Sequence, residues 1–206
     1  RVGQKAEKKE IQVDAAANSP EQHLNLAEAF YRAGMVEDAE RELSSAISLD
    51  PGNAEGLRRR AVIFLQDGRF AEALADLENI AGPEALAYTV LRNRALALEK
   101  LGRFDDALEV LEAAQEMRPK DAPALLARGI LELKSQRPEA AWGTFQRYRI
   151  QLGKQTPPPI FYAYGVIAAA MAGDMSRALA VGREGLKEQP DHSATLGALG
   201  ATPERH

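Results

Sequence analysis

The sequence predicts an all-α protein built as a solenoid of antiparallel helix pairs. Apolar residues recur at the spacing of amphipathic helices along most of the chain, which indicates helices rather than strands. A glycine returns every thirty-four residues, at Gly34, Gly68 and Gly102, and marks one turn in each unit. Prolines close the first, third and fifth units, at Pro51, Pro119 and Pro190. A period of this length is typical of repeat architectures, in which neighbouring units share one continuous core.

The unit from Tyr88 to Asp121 shows the pattern most clearly. Leu91, Ala95 and Leu98 have the spacing that places them on one face of a first helix, and Gly102 then interrupts that helix. Apolar residues return on one face of a second helix, at Phe104, Ala107, Leu108, Leu111 and Ala114. Such a hairpin leaves an apolar face open on its outer side, so it is stable only when a neighbouring unit covers that face.

Five such units are expected in sequence. The turn of each unit is followed by a small residue, at Ala39, Ala73, Ala107, Ala141 and Ala178. The expected boundaries are 20–53, 54–87, 88–121, 122–158 (which includes a proline-rich insertion) and 159–190. Ser19 and Pro20 suit the cap and the first position of the first helix. Residues 1–19 are expected to form a charged linker or frayed helix, and residues 191–206 a C-terminal capping segment.

This pattern resembles the tetratricopeptide repeat family, whose unit is thirty-four residues long with small, glycine, alanine and proline positions at these offsets. The resemblance covers roughly Pro20 to Pro190 and implies a right-handed superhelical solenoid of helix pairs. It also implies that small residues allow close helix crossings, within pairs at Ala27, Ala61 and Ala95 and between pairs at Ala39, Ala73 and Ala107. A bulky side chain at such a crossing pushes the helices apart.

Two units depart from the pattern. The fourth has Gln136 at the place of the turn glycine, and Glu132 where the other units supply a large apolar group, so its helix phase is less well defined by sequence. The fifth carries Gly182 and Gly185 inside its second helix, where each glycine costs about 1 kcal/mol relative to alanine. We expect that helix to be thin, or to meet a neighbour very closely.

The bulk composition is that of an ordinary globular protein, with 206 residues, 45% of them apolar and 27% charged. The net charge is −4, and lysines and arginines are interspersed with carboxylates, which argues against a nucleic-acid partner. The most apolar stretch, Gly165 to Gly173, is half the roughly 20 residues that span a membrane, so no direct membrane insertion is expected.

The sequence is compatible with more than one cellular compartment. The chain has no cysteine, which fits a cytoplasmic or a periplasmic compartment. Because the printed chain begins at Arg1, we interpret it as a processed product or an excised domain, which includes the soluble domain of a membrane-anchored protein.

No residue pattern predicts catalysis. The three histidines, His23, His192 and His206, lack the spacing of metal ligands, and no glycine-rich phosphate loop follows a strand. Acidic pairs such as Asp105-Asp106 begin second helices, where carboxylates favour the positive end of the helix dipole. We therefore expect no enzyme activity, no cofactor and no metal.

The resemblance places a binding groove on the concave face, which is lined by first helices and commonly holds an extended or helical peptide. Its first three units are expected to present polar residues, namely Glu21, Asn25, Glu28, Arg58, Arg59, Arg92, Asn93 and Lys100. Its last two units are expected to present apolar residues, namely Leu126, Ile130, Leu133, Ala163, Tyr164, Ile167 and Met171. The groove would change from charged to apolar along its length.

Three interpretations of the charged half stay open. Some family members hold a peptide's terminal carboxylate with a lysine, asparagine and arginine clamp, but here only Arg58 and Asn93 match, while Val62, Pro123 and Ala127 occupy the other places. A general acidic or mixed segment is the broader alternative. The groove arginines would otherwise form a solvated face or surface salt bridges, each worth about 0–1 kcal/mol.

The apolar half has two interpretations, since exposed apolar patches tend to mark interaction sites. Either a partner helix covers it, or the chain's own C-terminal segment or the connection from Gln151 to Pro159 folds over it. A separate ladder of arginines, Arg60, Arg94 and Arg128, is expected to be structural, with long stems covering helix crossings and heads bridging to carboxylates.

The expected function is that of a non-catalytic scaffold or adaptor, which presents its concave groove to a peptide or helix of another protein within a larger assembly. One alternative is a module that assembles with itself into a homo-oligomer through its ends. Another is the recruiting or regulatory domain of a longer protein.

Overall fold

The computed structural model describes residues 18–188, and within them the chain is a succession of α-helices. Pro20 begins the first helix directly after Ser19, whose hydroxyl accepts a hydrogen bond from the Gln22 N–H at 3.3 Å. The helices are α1 (Pro20–Arg32), α2 (Val36–Leu49), α3 (Ala54–Gln66), α4 (Phe70–Glu78), α5 (Tyr88–Lys100), α6 (Phe104–Met117), α7 (Ala122–Lys134), α8 (Pro138–Leu152), α9 (Pro159–Met171) and α10 (Met175–Glu188). A short 3-10 turn at Gly82–Leu86 joins α4 to α5.

Each helix packs against the helix before it and the helix after it, which is the arrangement of the predicted solenoid of antiparallel helix pairs. Contacts also join α3 to α5 and α7 to α9 directly. The odd-numbered helices therefore form one surface, the first-helix face, and the even-numbered helices form the opposite surface, the second-helix face. Buried apolar clusters follow one another along the solenoid between these two faces.

The turn inside each helix pair has the same geometry in all five pairs. The four turn glycines have φ between 75° and 80°, at Gly34, Gly68, Gly102 and Gly173. In each pair the next N–H donates to a carbonyl five residues earlier, for example Arg103 N–H to Leu98 O at 2.9 Å. This is the hydrogen bond of a Schellman cap, which needs a left-handed residue at the turn.

The fourth pair keeps this turn without a glycine. Gln136 adopts φ of 59°, and Arg137 N–H donates to Glu132 O at 2.8 Å. Glu132, which the sequence sets at a position of large apolar residues, is 4% exposed and so occupies the same place in the packing. The phase of the fourth pair is therefore that of the others, although its residue types differ.

Small and large residues are matched where the two helices of a pair cross. In the fourth pair, a Cβ added to Gly129 would lie 2.7 Å from Phe145 Cδ1, closer than real side chains approach. Phe145 is fully buried. The first three pairs combine an alanine with a leucine at these two places, as in Ala95 with Leu111. The loss of one methyl at Gly129 thus makes room for the larger ring.

The fifth pair confirms the close approach expected from its glycines. A Cβ added to Gly185 would lie 2.7 Å from Tyr162 Cβ, and Tyr162 is 1% exposed. Phe161 packs edge-on against Phe145 with ring centroids 5.9 Å apart, and lies 5.3 Å from the ring of Tyr148. This aromatic cluster fixes α9 against α8 after the proline-rich connection.

The arginine ladder has the predicted structural role at two of its three positions. Arg60 donates to both carboxylate oxygens of Asp76, at 2.7 and 2.8 Å, and this hydrogen bonding raises the pKa of Arg60. Arg128 donates to Glu132 at 2.8 Å. Within residues 18–188, the buried Nε of Arg94 has no hydrogen-bond partner, so the expected bridge to a carboxylate is wrong there.

The capping segment predicted at residues 191–206, and most of the linker predicted at residues 1–19, lie outside the described residues. Of that linker, Asn18 and Ser19 are described, and the Asn18 N–H donates to the Gln22 side-chain oxygen at 2.8 Å. Gln22 thus donates its N–H to Ser19 and accepts from Asn18, an arrangement that resembles a capping box but uses the N–H of the residue before the cap.

The matched crossing can be tested with Gly129→Ala and Phe145→Leu. We expect Gly129→Ala alone to cost about 2 kcal/mol of unfolding free energy, because the added methyl overpacks the crossing. Phe145→Leu alone should cost about 1–2 kcal/mol through the cavity that it leaves. The double variant recreates the alanine–leucine pair of the first three units, so its loss should be smaller than the sum. Denaturant unfolding of all four proteins measures this coupling, and strict additivity would contradict the proposed match.

The turn geometry predicts opposite effects for one substitution at two glycines. Neither Gly102 nor Gly143 has a heavy atom within 4 Å of an added Cβ, but only Gly102 has a positive φ, of 76°. Gly102→Ala should therefore lose about 1 kcal/mol through left-handed strain. Gly143→Ala, in the exposed interior of α8, should gain up to about 1 kcal/mol. Thermal unfolding followed by circular dichroism separates the two, and a loss in both variants would argue against the turn as the cause.

Candidate functional site

A cleft opens on the first-helix face where α1, α2 and α3 meet. Its volume is about 210 Å3. The residues that line it are Ala27, Glu28, Tyr31, Ala39, Leu43, Arg58, Arg59, Val62 and Ile63. Its floor is apolar and almost fully buried, and two of the floor residues are the small alanines that define the repeat. The close helix crossings that need small side chains thus also leave the space that forms the cleft.

Charged side chains along the rim of the cleft are already paired with one another. Arg58 donates two hydrogen bonds to Glu55 Oε2, at 2.9 and 2.6 Å, and Arg59 Nε also donates to Glu55. Arg59 reaches across to the neighbouring first helix, where its Nη1 lies 3.1 Å from Glu28 Oε2. Tyr31 makes a second link between the same two helices, since its hydroxyl donates to Gln66 Oε1 at 3.0 Å.

Glu55 is the centre of this rim. Its partial burial opposes ionisation, but the hydrogen bonds and charges of Arg58 and Arg59 outweigh that effect, so the pKa of Glu55 lies below its usual value. Glu55 is therefore a carboxylate at neutral pH. A ligand carboxylate that bound either arginine would have to compete with it.

The remaining polar groove candidates are spread along the same face. Glu28, Arg58 and Arg59 come together at the cleft, whereas Arg92, Asn93 and Lys100 lie on α5. Arg92 and Lys100 are exposed, and in the described part of the chain Arg92 makes no salt bridge. Asn25 and Glu21 are exposed on α1.

The apolar candidates are less open than the sequence predicts. Leu126, Ile130, Tyr164 and Ile167 are half-buried and pack against the cluster that contains Phe145. Met171 is 43% exposed.

Two of the apolar residues expected in the groove belong instead to the core. Leu133 is 5% exposed and Ala163 is 6% exposed, so their placement in the groove was wrong. Each lies on the side of its helix that faces neighbouring helices, where the packing excludes solvent. Ile160, which the sequence did not single out, is 44% exposed at the start of α9.

Three residues at the cleft were not foreseen as functional. Tyr31 and Val62 line it, and Glu55 organises its rim. Neither Tyr31 nor Val62 belongs to a distinctive motif, so the sequence offers only their positions in the second half of a first helix. Glu55 carries a clearer signal, because a glutamate three and four residues before two arginines forms helix ion pairs.

Two other kinds of feature are absent from the described residues. Residues 18–188 contain no group of three histidine or carboxylate side chains that could hold a metal ion. In the same range, every helix is too short or too polar to cross a lipid bilayer.

Comparison with known proteins gives one family. The profile of the tetratricopeptide repeat family matches residues 24–85 and 92–157. Among curated relatives, the Schizosaccharomyces pombe protein named DnaJ homolog subfamily C member 7 homolog is 32% identical over 116 residues, which are 53% of this chain and 24% of that protein. Human tetratricopeptide repeat protein 13 is 26% identical over 200 residues, which are 95% of this chain and 23% of that protein. The chain spans about a quarter of the length of these two relatives.

Solved structures show the same fold. YrrB, described as a TPR protein with an unusual peptide-binding site, has a TM-score of 0.75 and 20% identity, over 86% of this chain and 90% of YrrB. PilW, described as a widely conserved type IV pilus biogenesis factor, has a TM-score of 0.72 and 17% identity, over 87% of this chain and 82% of PilW. At these identities the likeness concerns the fold alone. Since the family profile covers more than half of the sequence, this chain belongs to the tetratricopeptide repeat family, whose fold serves in general as a protein-interaction scaffold.

Proposed function

We propose that this chain is a non-catalytic scaffold that holds a segment of a partner protein along its first-helix face, with one apolar side chain of that segment seated in the cleft between α1 and α3. The observation that carries this proposal is the cleft itself, in which an apolar floor lies beneath a polar rim. A pocket that combines an apolar floor with a few polar groups can both retain and orient a ligand.

The charge of the first-helix face indicates which kind of residue flanks the apolar side chain in the partner segment. Helices α3 and α5 together carry two glutamates and six lysines and arginines, but Arg60 pairs with Asp76 of α4 and the Nε of Arg94 is buried. The basic residues that remain for this face are Arg58, Arg59, Arg92 and Lys100. Arg92 and Lys100 are exposed beyond the cleft and available to a ligand. An acidic or mixed segment therefore fits the face better than a basic one, because it gains complementary charge along its path.

The comparisons support this kind of role without naming a partner. YrrB shares the fold and is described as having a peptide-binding site. The curated relatives are longer proteins in which a region like this chain is one part. A recruiting module within a longer protein is thus the second candidate, and it would use the same face.

The cleft can be blocked by Val62→Arg, which places a long charged side chain at its mouth. Peptides are first selected from a random library on the wild-type chain, and their affinity is then measured by fluorescence anisotropy. We expect Val62→Arg to weaken these peptides at least about tenfold, equivalent to 1.4 kcal/mol. The matched control is Leu86→Arg, which adds the same group at a leucine 63% exposed in the connection between α4 and α5.

Both variants must keep the wild-type helicity and melting temperature for the comparison to count. Equal binding by wild type, Val62→Arg and Leu86→Arg would place the selected peptides elsewhere and contradict the proposal. A chain that selects no peptide but grows in mass with concentration would favour self-assembly instead.

Glu55→Gln gives a separate prediction about the rim. The substitution keeps the shape of the side chain but removes the charge that neutralises Arg58 and Arg59. Acidic peptides should then bind several-fold more tightly, while neutral peptides of the same length should be unaffected. Isothermal titration of both peptide classes tests this, and an equal change in the two classes would show that the rim does not select for charge.

A further inference from the structure

The second-helix face has the opposite electrostatic character to the groove. Helices α2, α4 and α6 together carry twelve carboxylates and a single arginine. Helix α6 alone contributes five of these carboxylates and no basic residue. The acidic character ends at α8, which carries two arginines and one glutamate.

A second cleft lies at the border of this acidic region, where α6, α7 and α8 meet. Its volume is about 300 Å3. Its lining residues are Asp105, Leu108, Glu109, Glu112, Arg128, Glu132, Arg137 and Ala140. Four carboxylates thus face two guanidinium groups in one concave site.

The guanidinium groups do not satisfy all of these carboxylates. Arg137 is 2.8 Å from Asp105, and Arg128 is shared between Glu132 at 2.8 Å and Glu112 at 3.4 Å. Glu109 forms no salt bridge with any residue in the range 18–188. The cleft is therefore left with an excess of negative charge.

Glu132 is the residue whose contacts indicate that a ligand binds in this cleft. It is 4% exposed, and while its Oε1 accepts from Arg128, its buried Oε2 has no hydrogen-bond partner in the described part of the protein. An unpaired buried carboxylate oxygen is costly, because it loses water without gaining a donor. Packing does not demand a glutamate here, since the equivalent positions hold Phe64 and Leu98.

We propose that this cleft receives a lysine or arginine side chain from a basic segment of a partner protein. A cationic donor would satisfy Glu132 Oε2 and Glu109 together and would balance the excess charge. The described residues contain no metal-binding group of three ligands, which disfavours a metal ion as the occupant. Nucleic acids and anionic lipids are repelled by the surrounding carboxylates.

This site is independent of the peptide groove. The groove lies on the first-helix face near α1 and α3, whereas the acidic cleft opens between α6, α7 and α8, in the third and fourth pairs. The two sites favour ligands of opposite charge. One molecule can thus hold an acidic segment on one face and a basic segment on the other.

The test uses a fluorescent peptide that carries several lysines separated by glycine and serine, with blocked ends. Its affinity is measured by anisotropy against the full chain at low and at physiological salt. Glu109→Gln combined with Glu132→Gln removes two charges from the cleft with little change in shape. We expect this variant to bind the peptide at least about tenfold more weakly than the wild type.

The matched control is Asp106→Asn combined with Glu116→Gln. Both residues lie on α6, the change in net charge is the same, and neither residue lines the cleft. We expect this control to lose less than about twofold, since diffuse surface charge is screened by salt. The same peptide with acetylated lysines should not bind, and Val62→Arg should bind the lysine peptide normally.

Other results would overturn the proposal. Equal losses in the cleft variant and the control would mean diffuse attraction to the acidic face. No binding by the wild type would remove the site. A wild-type chain that dimerises, and that the cleft variant returns to a monomer, would identify a second copy as the occupant in place of a separate partner. If the groove selects no peptide but the lysine peptide still binds the acidic cleft, only the function proposed for the groove is contradicted.

Discussion

The close crossing of two helices at a small residue is the constraint on which the rest of this structure depends. Where α5 and α6 cross, Ala95 leaves room for Leu111, and where α7 and α8 cross, Gly129 leaves room for Phe145. The combined volume of the two side chains is nearly the same at both crossings, although the residues differ. Because each crossing is repeated at the same offset, every first helix falls on one face and every second helix on the other. The surfaces available for binding are consequences of this spacing.

Periodicity predicts the helices and the solenoid because it reports which residues must be buried together. It does not report how individual polar residues are satisfied. Gln136 can replace a glycine because the turn requires a backbone conformation, which a glutamine reaches at some cost. Leu133 and Ala163 were misplaced because an offset of one residue on a helix decides between a groove and a core. The cleft beside Tyr31 needs three helices to form, so no single segment of sequence reveals it.

The arginines at the rim of the first cleft already form ion pairs, which limits how they can contact a ligand. Arg58 and Arg59 are held by Glu55 and Glu28 before any ligand arrives, so they are oriented but not free. An ion pair of this kind contributes little to stability at the surface, but it fixes long side chains that would otherwise lose conformational entropy on binding. In the proposed binding mode the rim would act through geometry and competition, and the apolar floor would provide most of the attraction.

The separation of charge between the two faces has a consequence beyond either binding site. Basic residues concentrate on α3 and α5, and carboxylates concentrate on α2, α4 and α6, so the charge distribution has a dipole directed across the solenoid. Such a dipole exerts a torque on the molecule in the field of an approaching partner. At physiological ionic strength this torque acts within roughly 8 Å, the screening length of the solution. A partner with the charge proposed for either site would thus meet the matching face during the last stage of an encounter, before any side chains touch.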